Sequence, residues 1–574
     1  MSIKFDPLEY VKIPDELKTK KISILMPFLN EEKRIVQNVY RVKEYLSSLN
    51  LNYEIVLIDD GSTDNSYELL KENFSKDETV KIIKNYKNFG KGWALKTGYE
   101  FSSGELILFI DSDLELSIEH LPNFLKKMST EKAYAVIGSK LHPDSIVNYP
   151  FYRKILSFGY YSIVKFLFGL PIMDTQTGIK LFKREALELA LPKVIVKRFA
   201  FDIELLLILF KHQLKVVSAP IKLDFSRKFG WNFNFNVILK TFIDTFAVWY
   251  RDKILKFYDR PLGENKKFFY SIVLFSSKND EFEKMAFKTF TSILYPYYEI
   301  ILIGEEKFES QKEYKFLKLS NSLNEIEKLQ SLINSSILNG DVIVFSRLNS
   351  FVDERFLYNV GRILSLPDVG GVGGYILPSE NSGFQILSHR IIGSFFLNFN
   401  LTYRYKPVNF KEVRELNING LFVKRDILLA NYEIKNSGRL EYLISELIQK
   451  ATKKLYYSPD IMIYSKFSEN LKELFLYVKN NAISRGEELR NIIKRKEIKF
   501  LSIGYILPFF FLIWILFSLI FINKFTLLFL AIYYGIIFIS RLIYGFKAFF
   551  DGFLIAILQI YYSIFYLVGV FKKS

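Results

Sequence analysis

The sequence predicts an α/β chain with two sheet-containing domains, followed by a C-terminal transmembrane helical segment. Three observations lead to this prediction: short apolar runs alternate with helical patterns from residue 22 onward, the alternation restarts near residue 266, and long apolar stretches follow residue 500. Alternating strand and helix patterns are typical of a parallel sheet with crossover helices. At 574 residues the chain is also too long for one ordinary core, so two or three domains are expected.

The first domain is predicted over residues 1–260. The predicted strands are 22–26, 54–58, 80–83 and 106–110, and the predicted helices are 31–49, 63–73 and 92–101. The triplet Asp111-Ser112-Asp113 directly follows the last of these strands. Open α/β sheets bind ligands beyond the carboxyl ends of their strands, so this triplet is expected to lie in a binding crevice.

A second domain is predicted over residues 266–490, after a linker at 258–266. Strand patterns at 270–275, 299–303 and 341–345 and a helical pattern at 280–294 repeat the start of the first domain. A duplicated architecture explains this repetition better than one very large sheet.

The C-terminal segment, residues 500–571, is predicted to form about three membrane spans. Its apolar stretches are 501–522, 525–540 and 549–571, and the first and last are long enough to cross a bilayer. No secretory signal is expected at the N-terminus, so the bulk that precedes these spans is placed in the cytosol. The basic cluster before the first span favours the same side, whereas Lys572 and Lys573 oppose it if there are three spans. That cluster comprises Arg485, Arg490, Lys494, Arg495, Lys496 and Lys499.

Composition excludes several classes of function. The net charge of +17 raises the question of nucleic acid, but the aromatic and basic clusters lie beside apolar stretches. Attraction to anionic lipid head groups explains that distribution better, so the expected partner is a lipid bilayer and not nucleic acid. The chain has no cysteine, which excludes disulfides and thiolate chemistry. Two aromatic segments, 151–170 and 233–258, are either buried helices or helices at a membrane interface.

The paired carboxylates Asp111 and Asp113 are the candidate metal ligands. Magnesium usually takes one or two carboxylates together with substrate phosphates. Taken alone, such a triplet is more often a solvated turn or a helix cap. Its neighbours in the sequence strengthen the metal interpretation.

Four further polar segments occur in the order that a nucleotide-sugar site requires: 27–32, 59–64, 88–92, and 174–182 together with 198–204. Asp59 and Asp60 would meet a base or ribose, Gly61 permits a tight turn, and Lys91 in a glycine loop suits a diphosphate. Each segment also has a plain structural interpretation, such as a capping turn, a connector or charges at a helix start. All of them arising in this order by chance is improbable.

These segments resemble the family 2 glycosyltransferases of GT-A fold, a Rossmann-like mixed sheet, and most of all the dolichyl-phosphate glucosyltransferase group. The general pattern covers residues 21 to about 115, and the more diagnostic part is 174–182 with 199–204. The resemblance implies that Asp111 and Asp113 hold Mg²⁺ or Mn²⁺, with Glu115 as a third metal contact. It also implies a donor-binding set of Pro27, Asn30, Glu32, Asp59, Asp60, Gly61, Lys91, Asp111 and Ser112.

The acceptor side departs from the family pattern. Relatives often have arginine where this chain has Lys140, and a Gly-Ser-Lys segment appears only loosely at 226–231. A lipid phosphate would be held by basic side chains, for which Arg is the better bidentate fork and Lys acts as a point charge. The candidates are Lys140, Arg153, Arg198, Arg227 and Lys228.

The predicted activity is inverting transfer of a sugar, glucose from UDP-glucose, onto a polyprenyl or dolichyl phosphate at the cytosolic membrane face, as in protein glycosylation. The alternative is a transferase that extends a lipid-linked oligosaccharide or surface polysaccharide, with GDP-mannose as the alternative donor. A hydroxyl acceptor would need a catalytic base, for which Asp202 is the candidate, whereas an ionised phosphate would leave Asp202 a positioning role. A third hypothesis is a non-catalytic membrane scaffold. The oligomeric state, including a homo-oligomer, stays open.

The second domain resembles the family too, but not at the chemical positions. Where the first domain has Ile58-Asp59-Asp60, it has Ile303-Gly304-Glu305, and Arg347 and Asn349 stand where the metal pair would be. We therefore predict a degenerate domain without transferase activity that packs on the first, binds a glycan or lipid head group, or recruits a partner. Residues 419–421 and 439–441 echo acceptor-side elements, so acceptor binding stays an alternative.

Overall fold

In the computed structural model of the chain, the structure describes residues 6–9, 11–85, 87–147, 151–172, 174–198, 200–223, 235–259, 263, 266–278, 280–358, 360–380, 382–394, 397, 399–430, 439–494, 503–520, 524–541 and 551–571. Their contacts divide the chain into two compact units, Met1–Pro261 and Leu262–Ser574.

The first unit is built on a seven-stranded mixed sheet. Its strands are β1 (Ile22–Phe28), β2 (Tyr53–Asp59), β3 (Val80–Lys84), β4 (Leu106–Ile110), β5 (Ala135–Ser139), β7 (Ile179–Lys183) and β8 (Val216–Pro220), with a separate short ribbon of β6 (Ile146–Val147) and β9 (Lys222–Leu223). The strand order is β3-β2-β1-β4-β7-β5-β8. β1 pairs in parallel with β2 and β4, whereas β7 runs antiparallel to β4 and β5.

The helices of this unit are α1 (Asp15–Lys18), α2 (Ile35–Ser48), α3 (Ser66–Phe74), α4 (Lys91–Phe101), α5 (Leu121–Thr130), α6 (Phe151–Phe168), α7 (Arg184–Ala190), α8 (Phe201–Lys211) and α9 (Phe235–Lys253). Helices pack on both faces of the sheet: α2 and α5 share a core with one face of β1 and β4, whereas Gly98 of α4 lies against Leu25 and Ile58 of the other face. All five residues of β4 are buried, so the strand that precedes the acidic triplet is a rigid support at the centre of the core.

Two helices of the first unit begin later than the sequence predicts. α2 begins at Ile35 and not at residue 31, and α3 begins at Ser66 and not at residue 63. The residues before each helix bond instead to the opposite loop: Thr63 N–H donates to Asn30 Oδ1 at 2.8 Å, and Glu31 N–H donates to Ser66 Oγ at 2.8 Å. Polar side chains that bond to nearby backbone groups compete with helix formation in this way.

α9 carries an exposed apolar face. Ile243, Phe246 and Tyr250 are exposed and lie three and four residues apart, so they share one side of the helix. Tyr160 of α6 bonds to Thr245 of α9 through their hydroxyls at 2.8 Å. The interpretation of segment 233–258 as a fully buried helix is therefore wrong for this face.

The second unit is built on a sheet with the same order. Its strands are β10 (Tyr270–Phe275), β11 (Tyr298–Gly304), β12 (Lys315–Lys318), β13 (Val342–Arg347), β14 (Ser350–Phe351), β15 (Val369–Pro378), β16 (Lys411–Val413), β17 (Leu421–Lys424) and β18 (Lys454–Ser465). The order β12-β11-β10-β13-β17-β15-β18 repeats that of the first sheet, with β14 and β16 added on β18. The pairings repeat as well, because β17 runs antiparallel to β13 and β15 while β15 and β18 are parallel.

The helices of the second unit include α10 (Glu281–Thr291), α11 (Glu325–Asn334), α12 (Val360–Leu364) and α13 (Gly383–Ile392), followed by Arg425–Leu429, Leu440–Lys450 and Leu471–Lys494. α10 is predicted from residue 280 but starts at Glu281, because Asp280 caps it by accepting the N–H of Glu283 at 2.9 Å.

Three apolar helices end the chain: Ile503–Ile520, Lys524–Arg541 and Asp551–Phe571. Within the described ranges, only Asp551–Phe571 is both long and apolar enough to cross a membrane, with 21 residues and a mean hydropathy of 2.0. The apolar parts of the other two, Leu507–Ser518 and Leu528–Arg541, are shorter. A single helix of this kind is weak support for a span, since a buried core helix has the same composition.

Candidate active site

The acidic triplet lies at the carboxyl end of β4, in a tight turn. Leu114 has a φ of 52°, and its N–H donates to the Asp111 carbonyl at 3.1 Å. Asn38 of α2 holds the turn from one side by donating to the Ser112 carbonyl at 2.7 Å. On the other side lies Gly178, where any side chain would collide with the Asp111 carboxylate. The two carboxylates are therefore presented from a braced backbone.

Negative charge is concentrated around Asp113. Burial raises the pKa of Asp113, and the neighbouring Asp111 and Glu31 raise it further. Arg34 offsets part of this charge, since its guanidinium donates to Glu31 at 2.6 Å and the negative charge of Asp113 helps to raise the Arg34 pKa. Crowded carboxylates of this kind are stabilised by a cation.

The acidic turn offers two neighbouring carboxylates, Asp111 and Asp113, as metal ligands. Among the described residues no three His, Cys, Asp or Glu side chains are arranged to share one metal ion. The role of Glu115 as a third metal contact stays a prediction from the sequence. Its N–H donates to Asp113 Oδ1 at 3.1 Å as the chain reverses at Leu114. Two carboxylates still suit Mg²⁺ or Mn²⁺, because substrate phosphates supply further oxygen ligands.

Two lysines stand among the acidic groups of the site. Lys91, the first residue of α4, forms an ion pair with Asp111. Burial lowers the pKa of Lys91, but Asp111 and Asp202 outweigh that effect and the pKa is raised. Lys180 of β7 lies 2.8 Å from Asp202 and donates to the Thr177 carbonyl at 2.5 Å. Burial lowers the pKa of Lys180 despite the opposing effect of Asp202.

The loops after β1 and β2 are bound to each other. Asn30, at a φ of 54°, donates its N–H to Ser62 Oγ at 2.9 Å. Glu32 N–H donates to Asp64 at 3.2 Å, and Glu32 Oε2 accepts the N–H of Asn65 at 3.2 Å. Pro27 lies in β1 beside Ile58 of β2. The predicted donor residues Pro27, Asn30 and Glu32 are thus brought to one edge, where Asn30 and Glu32 also brace the loops.

Asp59 and Asp60 differ in their surroundings. Asp60 accepts the N–H groups of Phe89 at 3.1 Å and Gly90 at 2.8 Å, and these two hydrogen bonds hold the glycine loop in place. Asp59 accepts the N–H of Ser62 at 2.7 Å, and its buried Oδ2 has no hydrogen-bond partner within the part of the chain that is described. Burial raises the pKa of both carboxyl groups. Asp59 is therefore the one of the pair with an oxygen that makes no hydrogen bond to any described residue, with Lys84 Nζ 3.9 Å from that oxygen.

Gly61 is required by geometry. It has a φ of 80°, and a side chain there would meet the backbone of Lys87 and Asn88 within about 2.7 Å. The turn after β2 and the glycine loop can approach this closely only because residue 61 lacks a Cβ.

The predicted acceptor residues are only partly brought together. Lys140 follows β5, and its N–H donates to Asp174 at 3.0 Å, which places it beside the segment before β7. Arg198 is exposed and lies against Gly90 of the glycine loop. Arg227 and Lys228 lie outside the described residues, as does the side chain of Arg153.

Sequence reasoning gave no role to Lys180 or to a buried cluster around Glu204. Glu204 accepts the N–H groups of Ile195 at 2.8 Å and Val196 at 2.7 Å and pairs with Arg251 at 3.0 Å. It thereby fixes the loop that carries Arg198 and the end of α9. The available sequence indication was a charged residue inside an otherwise apolar run, both in β7 and in α8.

The part of the chain that forms this site is similar in sequence to known proteins. Residues 23–190 match the family model of glycosyl transferase family 2. Dolichyl-phosphate beta-glucosyltransferase ALG5D of Trichomonas vaginalis is 32% identical over 252 residues, which cover 42% of this chain and 76% of the relative. Dolichyl-phosphate beta-glucosyltransferase of Homo sapiens is 35% identical over 205 residues, which cover 33% of this chain and 63% of the relative.

A further relative, Dolichyl-phosphate beta-glucosyltransferase ALG5C of Trichomonas vaginalis, is 32% identical over 227 residues, 38% of this chain and 66% of the relative. The chain thus spans about two thirds of the length of these relatives. Among solved structures, glucosyl-3-phosphoglycerate synthase from Mycobacterium tuberculosis with Mn²⁺, UDP-glucose and phosphoglyceric acid aligns with a TM-score of 0.30 and 16% identity, over 43% of this chain and 84% of that one.

Proposed function

The chain belongs to the glycosyl transferase family 2 and is most like its dolichyl-phosphate glucosyltransferases, and from this premise we propose that its first unit transfers glucose from UDP-glucose onto a polyprenyl phosphate such as dolichyl phosphate. The observation that carries the proposal is the braced Asp111-Ser112-Asp113 turn at the carboxyl end of β4, with Lys91 paired to Asp111. Such a site suits a diphosphate leaving group.

Donor binding is assigned to the loops after β1 and β2 and to the glycine loop. Asp59 has a buried acceptor oxygen for a uracil or ribose donor group, and Asn30 and Glu32 fix the loop beside it. Lys91 places a positive charge where the diphosphate would lie, because its raised pKa keeps it protonated at neutral pH. Asp111 and Asp113 would hold a divalent cation there. When bound, that cation supplies Lewis-acid neutralisation of the charge on the departing diphosphate.

The acceptor is proposed to be a phosphate because Asp202 is poorly placed to act as a base. Its carboxylate is in contact with the buried ammonium of Lys180 at 2.8 Å, an ion pair and not a well-directed hydrogen bond. The Oδ1 atom of Asp202 is therefore occupied by the Lys180 ammonium. A phosphate monoester is already ionised at neutral pH and needs no base, so transfer depends on positioning and electrostatics. Attack from the face opposite the leaving group would invert the anomeric carbon.

Lys140 and Arg198 are the described candidates for holding the acceptor phosphate. Arg153, Arg227 and Lys228 remain candidates from the sequence alone. Asp202 takes the role of orienting Lys180 beside the reacting groups.

We place the first unit at the cytosolic face of a membrane, in a multi-pass chain. The apolar helix Asp551–Phe571 and the exposed apolar face of α9 support this placement. A long-chain lipid phosphate also requires an active site that lies beside a bilayer. The second unit, whose sheet repeats the strand order of the first, is proposed to be a degenerate GT-A-like domain without transferase activity.

A single assay separates the proposal from its alternative. The full chain is incubated with radiolabelled UDP-glucose or GDP-mannose and with a short polyprenyl phosphate or a lipid-linked oligosaccharide, each with and without EDTA, and the lipid extract is counted. We expect a glucosyl lipid whose formation stops in EDTA and resumes with Mg²⁺ or Mn²⁺. Transfer only to a lipid-linked oligosaccharide, or only from GDP-mannose, would favour the alternative of glycan extension. Full activity in EDTA would contradict the metal assignment.

A further inference from the structure

The second unit contains a cavity of about 520 Å³ beyond the carboxyl ends of its strands. Arg347 at the end of β13, the start of α11 and the helix Leu471–Lys494 form its walls. This volume falls within the roughly 300–1,000 Å³ range of small-molecule sites. The cavity therefore occupies the part of the second sheet where the first sheet has its acidic triplet.

Most of the arginines around this cavity are paired with carboxylates. The arginines are Arg347, Arg404, Arg439 and Arg485, and the carboxylates at or just behind the walls are Glu325, Glu415, Glu441 and Glu488. Arg347 forms a two-pronged pair with Glu325, at 2.5 and 2.7 Å. Arg439 lies within 3.9 Å of three of the carboxylates. Arg347, Arg404 and Arg439 are thus already engaged by carboxylates, which disfavours a phosphate ligand.

Polar side chains without internal partners face this cavity. Asn480, Asn481 and Ser484 lie on one stretch of the Leu471–Lys494 helix and line the cavity. Within the described ranges, neither amide makes a side-chain hydrogen bond to the protein. Each amide offers two donors and an acceptor, which match the hydroxyl groups of a sugar.

Aromatic surface completes the lining. Tyr405 and Tyr477 both line the cavity, with their hydroxyls 3.3 Å apart. Pockets that bind small molecules combine aromatic walls with a few placed polar groups. The helix that bears Tyr477 is held rigidly from behind, because Gly486 packs against the backbone of Asp551–Phe571 too closely to admit a Cβ.

We infer that this cavity binds an uncharged saccharide of about two to three residues, making the second unit a glycan-binding site separate from the transfer site. Arginines already paired with carboxylates disfavour an anion, the amides of Asn480 and Asn481 suit hydroxyl groups, and Tyr405 and Tyr477 add aromatic surface. The paired side chains of Arg347 and Glu325 can still take part in recognition: the guanidinium can donate to a sugar hydroxyl, and the carboxylate can accept from one.

The test is direct binding to the full chain in a detergent whose head group is not a sugar. Four neutral trisaccharides are titrated by calorimetry: maltotriose, cellotriose, mannotriose and N,N′,N″-triacetylchitotriose. We expect saturable binding of at least one, weakened at least tenfold by the double substitution Asn480→Ala and Asn481→Ala, because two hydrogen bonds are lost. Asn491→Ala, on the same helix but away from the cavity, is the matched control and should bind as the wild type does.

Two further measurements keep this inference separate from the proposed transferase activity. Asp113→Ala in the first unit should leave trisaccharide binding unchanged, and inorganic pyrophosphate should not compete. The inference is wrong if none of the four trisaccharides binds saturably, if pyrophosphate displaces them, or if the double variant folds and binds normally. Failure of glucosyl transfer with intact trisaccharide binding would contradict only the proposed function.

Discussion

The two sheets have nearly the same hydrogen bonds at the amino ends of their strands. In the first, Ser23 donates to Glu54 at 2.6 Å and accepts the N–H of Gly104 at 2.8 Å. In the second, Ser271 donates to Glu299 at 2.6 Å and accepts the N–H of Gly340 at 2.8 Å. A lysine on the neighbouring strand pairs with the glutamate in both, Lys81 at 2.9 Å and Lys315 at 2.7 Å.

The carboxyl ends of the same strands differ in chemistry. In the first sheet the initial residue of α4, Lys91, pairs with Asp111 after β4. In the second the initial residue of α11, Glu325, pairs with Arg347 at the end of β13. The strand pairings place Asp111 and Arg347 at equivalent positions. Both sheets therefore have an ion pair there, but the acidic partner follows the strand in the first sheet and begins the helix in the second.

The position opposite on the antiparallel strand changes accordingly. Gly178 leaves room for the Asp111 carboxylate, whereas Asn419 at the equivalent position accepts the N–H of Arg347 at 3.0 Å. The amino ends of the strands therefore keep the same hydrogen bonds in both units, whereas the carboxyl ends carry different functional groups. An arginine cannot ligate Mg²⁺, so the second sheet lacks the proposed pair of metal ligands although its strand order is the same.

Asp113→Ala should have the largest effect. We expect glucosyl transfer to fall by roughly 10³-fold, because several kcal/mol of charge stabilisation at the leaving diphosphate are lost. The fold should be intact, since Asp113 contributes little packing. Initial rates and far-UV circular dichroism measure the two. Asn349→Ala, at the equivalent position of the second sheet, is the control and should transfer normally; equal losses in both would break the comparison.

Lys91→Met should lower kcat/KM for UDP-glucose by roughly 10²-fold, the cost of one charged group aimed at a developing anion. It removes the cation beside Asp111 and retains much of the side-chain volume. Lys20→Met, which breaks a pair with Glu105 at 3.3 Å at the amino end of the sheet, should leave the kinetics unchanged. Unaltered kinetics in Lys91→Met would show that the exchanged ion pair has no part in catalysis.

Glu54→Gln should lower the free energy of unfolding by about 2 kcal/mol, and Glu299→Gln by about 1 kcal/mol. The Glu54 side chain is 3% exposed and that of Glu299 13%. Burial raises the pKa of Glu54, but hydrogen bonds from Ser23 and Ser103 and the charge of Lys81 lower it to about 2. The stabilisation is therefore present above the unfolded pKa of about 4.5 and is lost as pH falls toward 2.

Urea unfolding at pH 7 and at successively lower pH measures this effect. The difference between wild type and Glu54→Gln should narrow below about pH 4.5. A difference that stays constant down to pH 2 would contradict the assignment to the Glu54 charge.

Gly178→Ala should give the smallest effect, a roughly tenfold loss of kcat with little change in stability, because the added methyl displaces the Asp111 carboxylate from its position. Single-turnover kinetics measure the chemical step. Gly383→Ala, where a Cβ meets nothing within 4 Å, is the control in the second unit. Normal turnover of Gly178→Ala would mean that the Asp111 carboxylate need not occupy its observed position.

Much of this arrangement could be predicted from the sequence. The sequence predicts the apolar strands before Asp59 and Asp111, because a strand that is buried on both faces has a continuous run of apolar residues. The mixed GT-A-like sheet and the family follow from the order of the polar segments that come after those strands. The predicted starts of α2 and α3 are less accurate, because Thr63 and Glu31 form hydrogen bonds with residues of another loop. A local sequence pattern does not show such partners.

The sequence by itself determined the family, the alternation of strands and helices, and the pair of acidic residues that can carry metal chemistry. Only the tertiary structure decided that Lys180 contacts Asp202 and that Glu325 and Arg347 form the reverse of the Lys91–Asp111 pair. The physical reason is distance along the chain. Apolar periodicity is a local property, whereas an ion pair between residues 22 positions apart exists only when the sheet brings two strand ends together.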